Sequence, residues 1–386
     1  MARDSNTNKN EDSYFDRTIN NWNGELHRAE ARLGVVFTGV ALSFLLMILG
    51  GLYASENVLP LNFGQEYARL SQNPFDFQNP NRLHYRILSP LIGYVLFLRG
   101  NLFVILTHGA SLVFLVTIYV HFRRKSYEPI EALIFSFMMA FSINVLNEIH
   151  FPGTTDPVSY LFLLWAILNI KKPVVWGACF CVALLNHEAN FFALPWLVFM
   201  ALMKNKGSRD RFLGILVGIA ACLPWFAVRM VLSRAISSDI PFSAGYYLSF
   251  ANITRNLEQI FPTLWVGIFS AYKLAWVFPF AAIMIYIRSG KKYNATLLVA
   301  IVFCAMAQLF FGWDVTRLMG LGFPAIVLGA EAVREKWGAD NFRKWAWRLL
   351  FLNLLVPQAT TWGDHIITFY PLPYTMLVQY FSGIPL

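Results

Sequence analysis

From residue 33 onward, long apolar runs alternate with short polar segments. The runs predict about eleven membrane helices, near 33–53, 102–121, 130–146, 158–170, 173–186, 190–203, 212–232, 263–287, 294–311, 318–332 and 345–358. Several are shorter than the ~20 residues of a straight span. That predicts polar turns dipping into the membrane plane, tolerated where protein or water lines the backbone. The run at 87–98 is only 12 residues long and reads as an interfacial or re-entrant helix. The fold class is therefore all-α: a polytopic integral membrane protein with a long first outer loop, 54–101, containing interfacial helices. Residues 1–32 read as a cytosolic N-terminal tail, 33–358 as the transmembrane bundle and 359–386 as an outer-face C-terminal tail.

Composition supports the bilayer as solvent. The chain is 57% hydrophobic and 14% charged, against roughly 25% charged residues in soluble domains. The net charge of +9 follows from loop lysines and arginines rather than from nucleic-acid binding. With the N-terminus inside, 21 of the 31 Lys and Arg residues fall in inner segments and seven in outer ones. This bias predicts a cytoplasmic N-terminus and an outer C-terminus. Cys179, Cys181, Cys222 and Cys304 all lie in apolar segments and read as small buried hydrophobes.

The outer segments gather the candidate chemistry. The first loop carries Glu66, Asp76, Arg82, His84 and Arg86; the second carries Glu148, His150 and Asp156. The turn NHEAN holds His187 and Glu188, the loop after 232 holds Asp239 and Glu258, and GWDVTR holds Asp314 and Arg317. Each has a structural alternative. Arg82 and Arg86 suit headgroup anchoring, Asp156 before Pro157 suits a helix N-cap, and Asp314 with Arg317 suits a local i, i+3 pair. His187 and Glu188 lie between apolar runs, where charge costs roughly 2.5–3.5 kcal/mol near the bilayer centre. Lys273, deep in 263–287, calls for a cavity partner or a helix break near 269–272. Oxygen ligands from Glu66, Asp156 or Glu188 are of the kind that hold Mg²⁺ or Mn²⁺ beside a phosphate; neither H-E-x-x-H nor a zinc-type Cys/His spacing occurs.

An acid beside a tyrosine in the first outer loop (Glu66, Tyr67), an R-x-L-x-P entry to a short helix (Arg86 to Pro90) and a late D-x-x-R (Asp314 to Arg317) come in that order. Over residues 33–330 the arrangement resembles the GT-C superfamily of polytopic glycosyltransferases, which use polyprenyl-phosphate-linked sugars on the non-cytoplasmic side. The family's usual first-loop aspartate is absent; Glu66 and the isolated Asp76 are its nearest counterparts. The resemblance implies sugar transfer from a lipid-phosphate donor to a glycan, lipid or protein acceptor; the small size and the absence of sorting signals point to a bacterial inner membrane. Glu66, with Asp76 as substitute and Asp156 nearby, would supply the catalytic carboxylate. Arg86, Arg317 or Lys273 would neutralise the departing phosphate, Asp314 would help bind substrate, and His187 and Glu188 would line the sugar pocket or complete a metal site. Trp313, Tyr246 and Tyr247 are candidates for stacking on sugar.

Two other functions stay open. A secondary transporter would account for Lys273 and Arg229 within spans, and a membrane metal-dependent hydrolase would use His84, His150, His187 and Asp156 around zinc.

Overall fold

A computed structural model describes residues 14–54, 63–77, 82–205, 207–235, 249–371, 374 and 376. Asp239, Tyr246 and Tyr247 lie outside the described residues. The architecture is an α-helical membrane bundle. It opens with α1 (Tyr14–Leu33), α2 (Val35–Gly50), α3 (Phe63–Gln72), α4 (Leu88–Val95) and α5 (Phe103–Arg124). The centre is built from α6 (Pro129–Ala140), α7 (Ile143–His150), α8 (Asp156–Leu168), α9 (Pro173–Asn186), α10 (Leu194–Lys204), α11 (Ser208–Ala220) and α12 (Leu223–Ala235). There follow α13 (Phe250–Ile260), α14 (Leu264–Tyr272), α15 (Val277–Arg288), α16 (Lys292–Ala307), α17 (Val315–Leu318), α18 (Phe323–Trp337) and α19 (Ala339–Leu355).

The expected eleven spans are not all present as such. Among the described residues, five helical stretches are long and apolar enough to cross a membrane: Gly100–Arg124, Ser208–Ala235, Leu264–Arg288, Lys292–Phe310 and Val315–Trp337. A sixth is the pair α6 and α7, bent by 53°. Val35–Gly50, Asp156–Leu168 and Pro173–Asn186 are apolar but shorter. Proline opens α6, α8 and α9 at a first-turn position, where its missing N–H is no loss. The bend after α6 has a local cause: the Ser142 side chain accepts the Asn144 N–H and starts α7 as a new helix.

Three of the segments expected on the inner side meet one another. Arg123 meets Glu30 at 2.6 Å, His27 meets Glu128 at 2.7 Å, Lys125 meets Glu331 at 2.5 Å and Arg334 meets Glu131 at 3.0 Å. The amphipathic α1 lies there, with Trp22 edge-on to Trp347.

At the opposite end a small sheet departs from the all-helical expectation. Strands β1 (Tyr53–Ala54), β2 (Gln358–Trp362) and β3 (His365–Pro371) form an antiparallel sheet in the order β1-β3-β2. The run expected to span 345–358 ends its helix at Leu355, and residues 358–371, all but the first in the expected tail, form a hairpin. Trp362 pairs with His365 across the turn, where Gly363 has a φ of 59°. A glycine at positive φ is what a two-residue hairpin turn uses. Gln358 Nε2 donates to Ser270 O (2.9 Å) and Thr361 N to Thr316 Oγ1 (3.1 Å), fixing the hairpin against α14 and α17.

Candidate active site

The same end of the bundle holds a cavity of about 480 Å³. The 3₁₀ turn Arg82–Arg86 brings Tyr85 and Arg86 to it, the turn after α9 brings His187 and Glu188, and the loop before α17 brings Trp313 and Asp314. Arg317, Trp225, Arg229, Asn256, Gln308, Phe63 and Trp362 complete much of the wall. Segments far apart in sequence thus meet at one site.

Asn186 is the joint that holds three of these elements together. Its Nδ2 donates to Thr155 O (2.7 Å) and Ser159 Oγ (2.8 Å), and its Oδ1 accepts from Ser89 Oγ. All of these groups are buried, so each bond removes an otherwise costly orphan. Arg86 ends the 3₁₀ turn two residues before α4 and makes a forked pair with Glu188. Its Nη2 lies 2.5 Å from Oε1 and its Nε 3.0 Å from Oε2, while Nη1 donates to the Tyr67 hydroxyl at 3.2 Å. Burial drives the Glu188 carboxyl upward, but the Arg86 charge outweighs it and holds the group well below the usual carboxylate range.

Arg317 is the second cation. Its Nε is 3.5 Å from both Asp156 Oδ2 and Asp314 Oδ2. Asp314 also caps α17, its Oδ1 accepting the Arg317 N–H at 3.1 Å. Burial pushes the Asp314 carboxyl up to about 6, against the pull of Arg317. Asp156 was expected as an N-cap; instead Thr155 holds the cap position and Asp156 is the first residue of α8. Its carboxylate faces Arg317 and, at 3.8 Å, His187 Nε2. His187 Nδ1 accepts the Ala189 N–H at 3.1 Å, so the neutral ring carries its proton on Nε2. Burial, reinforced by the Arg86 charge, pushes the imidazole down to about 4.

Other expected residues lie elsewhere. Lys273 is fully buried with a φ of 48°, at the break where α14 ends. Its Nζ donates to Val356 O (3.1 Å) and sits 5.0 Å from the Tyr53 ring, so it caps the carboxyl end of α19 rather than lining the cavity. Glu66 pairs with Arg69 one turn along α3 (3.3 Å) and is half-exposed; α3 contributes Phe63 to the cavity, not Glu66. Asp76 lies in the turn after α3, its N–H bonded to Asn73 O, and is likewise outside the wall. Asn252 is buried in the wall.

Glu148 has a structural task. Fully buried, it accepts from Gly153 N (2.9 Å), Thr154 Oγ1 (2.9 Å) and Thr107 Oγ1, and it meets His108 Nδ1 at 3.0 Å. These bonds fold the loop that delivers Asp156. Gly153, at φ 90°, packs on α3 so closely that a Cβ there would sit 3.1 Å from the Gly64 Cα.

The zinc constellation does not assemble. His150 stacks on Phe369, His84 lies beside Phe77, and His187 approaches Asp156. Among the described residues no three His, Cys, Asp or Glu side chains are grouped to hold a metal ion. Trp225, Trp362, Asn256, Gln308 and Arg229 were not singled out as site residues by sequence. Of these only Arg229 carried a signal, a charge inside an apolar run.

No family model matches the chain, and no curated protein matches it. Among solved structures the fold is similar to the crystal structure of ArnT from Cupriavidus metallidurans in the apo state, with 17% sequence identity and a TM-score of 0.49. That likeness covers 80% of this chain, which spans 62% of the length of the ArnT chain.

Proposed function

We propose that this chain is a membrane glycosyltransferase of the GT-C type. It moves a sugar from a lipid-phosphate donor to an acceptor on the non-cytoplasmic face of a bacterial inner membrane, with the N-terminus in the cytoplasm. The observation that carries this reading is one cavity lined by both Arg86 and Arg317, with Asp314 beside them and Trp225, Trp313 and Trp362 in the walls. Guanidinium groups suit phosphate oxygens, and indole faces suit the apolar faces of sugar rings.

Asp314 is the general base in this proposal. It lines the cavity, and a carboxyl near 6 is ionised at neutral pH yet more basic than an ordinary aspartate. It takes the acceptor hydroxyl proton as the acceptor oxygen bonds to the anomeric carbon; the bond from that carbon to the phosphate oxygen breaks, and lipid phosphate leaves as an anion. Arg317, restrained by Asp156 and Asp314, is positioned to meet that charge, and Arg86 is held in place by Glu188. Glu66 is the rival base, from the first-loop resemblance.

The test uses purified full-length protein with a panel of polyprenyl-phosphate hexoses and pentoses and a bacterial membrane extract as acceptor source. Release of polyprenyl phosphate with sugar appearing in the extract is the expected result. Donors left intact throughout the panel would overturn the proposal.

A further inference from the structure

Three arginines line the cavity, and they differ in one respect. Arg86 is neutralised by Glu188, and Arg317 by Asp156 and Asp314. Arg229 has no carboxylate partner among the described residues. Its guanidinium instead lies over the Tyr85 ring at 4.4 Å and near the Trp225 ring at 5.2 Å.

That geometry matters because of where Arg229 sits. It lies on α12, within the candidate span Ser208–Ala235, one turn beyond Trp225 on the same side of the helix. Phe226 and Met230, on the next side of α12, are exposed large apolar residues in a stretch suited to lipid. Arg229 therefore stands where the cavity meets the bilayer. A charge in a span is costly unless something neutralises it. Stacking on aromatic faces fixes the guanidinium plane but leaves its N–H edge able to donate.

We propose that Arg229 is the anion-receiving residue of this cavity, taking the phosphate group of an amphiphile whose tail continues along the exposed apolar side of α12. The choice of phosphate as the anion rests on the lipid-phosphate reading above; the unpartnered guanidinium does not. Arg229 then holds the phosphate of the resting donor, and Arg317, restrained by Asp156 and Asp314, meets the charge that develops on the leaving oxygen.

The experiment measures equilibrium binding to the full chain in a phosphate-free detergent, with farnesyl phosphate, farnesol and inorganic phosphate as probes. Arg229→Gln should weaken farnesyl phosphate by about tenfold or more, as expected for loss of a charge-assisted contact. Arg229→Lys should fall between Arg229→Gln and the parent, and farnesol should bind parent and Arg229→Gln alike. Unchanged farnesyl phosphate binding in Arg229→Gln would overturn the assignment, as would an equal loss of farnesol, which would make Arg229 a packing residue. Inorganic phosphate binding as tightly as farnesyl phosphate would overturn the lipid part. Binding is read without turnover. A chain that holds farnesyl phosphate through Arg229 but transfers no sugar would contradict the transferase proposal and leave this one standing.

Discussion

Arg86 and Glu188 are 102 residues apart in sequence, yet Arg86 Nη2 lies 2.5 Å from Glu188 Oε1. The pair ties the segment before α4 to the turn between α9 and α10, and with it one wall of the cavity to another.

Breaking a fully buried ion pair by removing one partner costs about 3–5 kcal/mol. Here the side chains are 18% and 32% exposed, so solvent screens part of the loss and about 2 kcal/mol is expected. Glu188→Gln should lower the thermal midpoint in detergent and reduce turnover, because Arg86 loses its fork. Arg86→Lys should do the same, since lysine keeps charge but not the planar geometry. A midpoint equal to that of the parent in both variants would show the pair to be incidental.

Lys273 separates a charge that holds the fold from charges that line the cavity. Lys273→Met should destabilise the protein, because the Val356 carbonyl at the end of α19 loses its donor. The surviving folded fraction should bind donor with the affinity of the parent. A variant of normal stability that has lost donor binding would return Lys273 to the site.

Trp362 reaches the cavity only through the hairpin, and it packs 5.1 Å from Phe63. Trp362→Ala should raise KM for the sugar donor more than it lowers kcat, as expected for a wall that binds rather than reacts. An unchanged KM would remove the hairpin from substrate recognition.

These residues also mark what the sequence made legible. Asp314, Arg317, His187 and Glu188 could be singled out because ionisable groups at the ends of apolar runs need a reason to be there. The loops that build the cavity are also the ones poor in lysine. Lys273 offered the same signal, but its partners are backbone carbonyls some 80 residues on, which carry no sequence signature. Glu66 drew attention through its neighbour Tyr67, whose hydroxyl does meet Arg86; the adjacent carboxylate takes another direction on α3. The hairpin was readable in principle, since Gly363-Asp364 sits between β-forming runs. It was passed over because membrane spans dominate a hydropathy reading. Trp225, Asn256 and Gln308 are ordinary residues of apolar helices until the bundle packs.

The Asp314 carboxyl, pushed up to about 6 by burial, sets the expected pH dependence. A base must be ionised to act, so kcat/KM should be small below pH 5, rise through about 6 and level off toward 7. The sign is opposite for stability: a carboxyl raised in the folded state favours the fold when protonated, so this contribution fades as pH rises through about 6. A flat kcat/KM profile between pH 5 and 7.5 would contradict the assignment.

The central claim is tested most directly by release of polyprenyl phosphate at pH 7 from a matched lipid-phosphate sugar, compared among the parent chain, Asp314→Asn and Glu66→Gln. Asparagine can keep the cap on α17 but cannot take a proton. The account predicts that Asp314→Asn lowers the release rate by about 10²–10⁴-fold, the usual range for loss of general base catalysis, while Glu66→Gln stays within a few-fold of the parent. Near-normal release by Asp314→Asn would contradict it, and a dead Glu66→Gln beside it would move the base to the first outer loop.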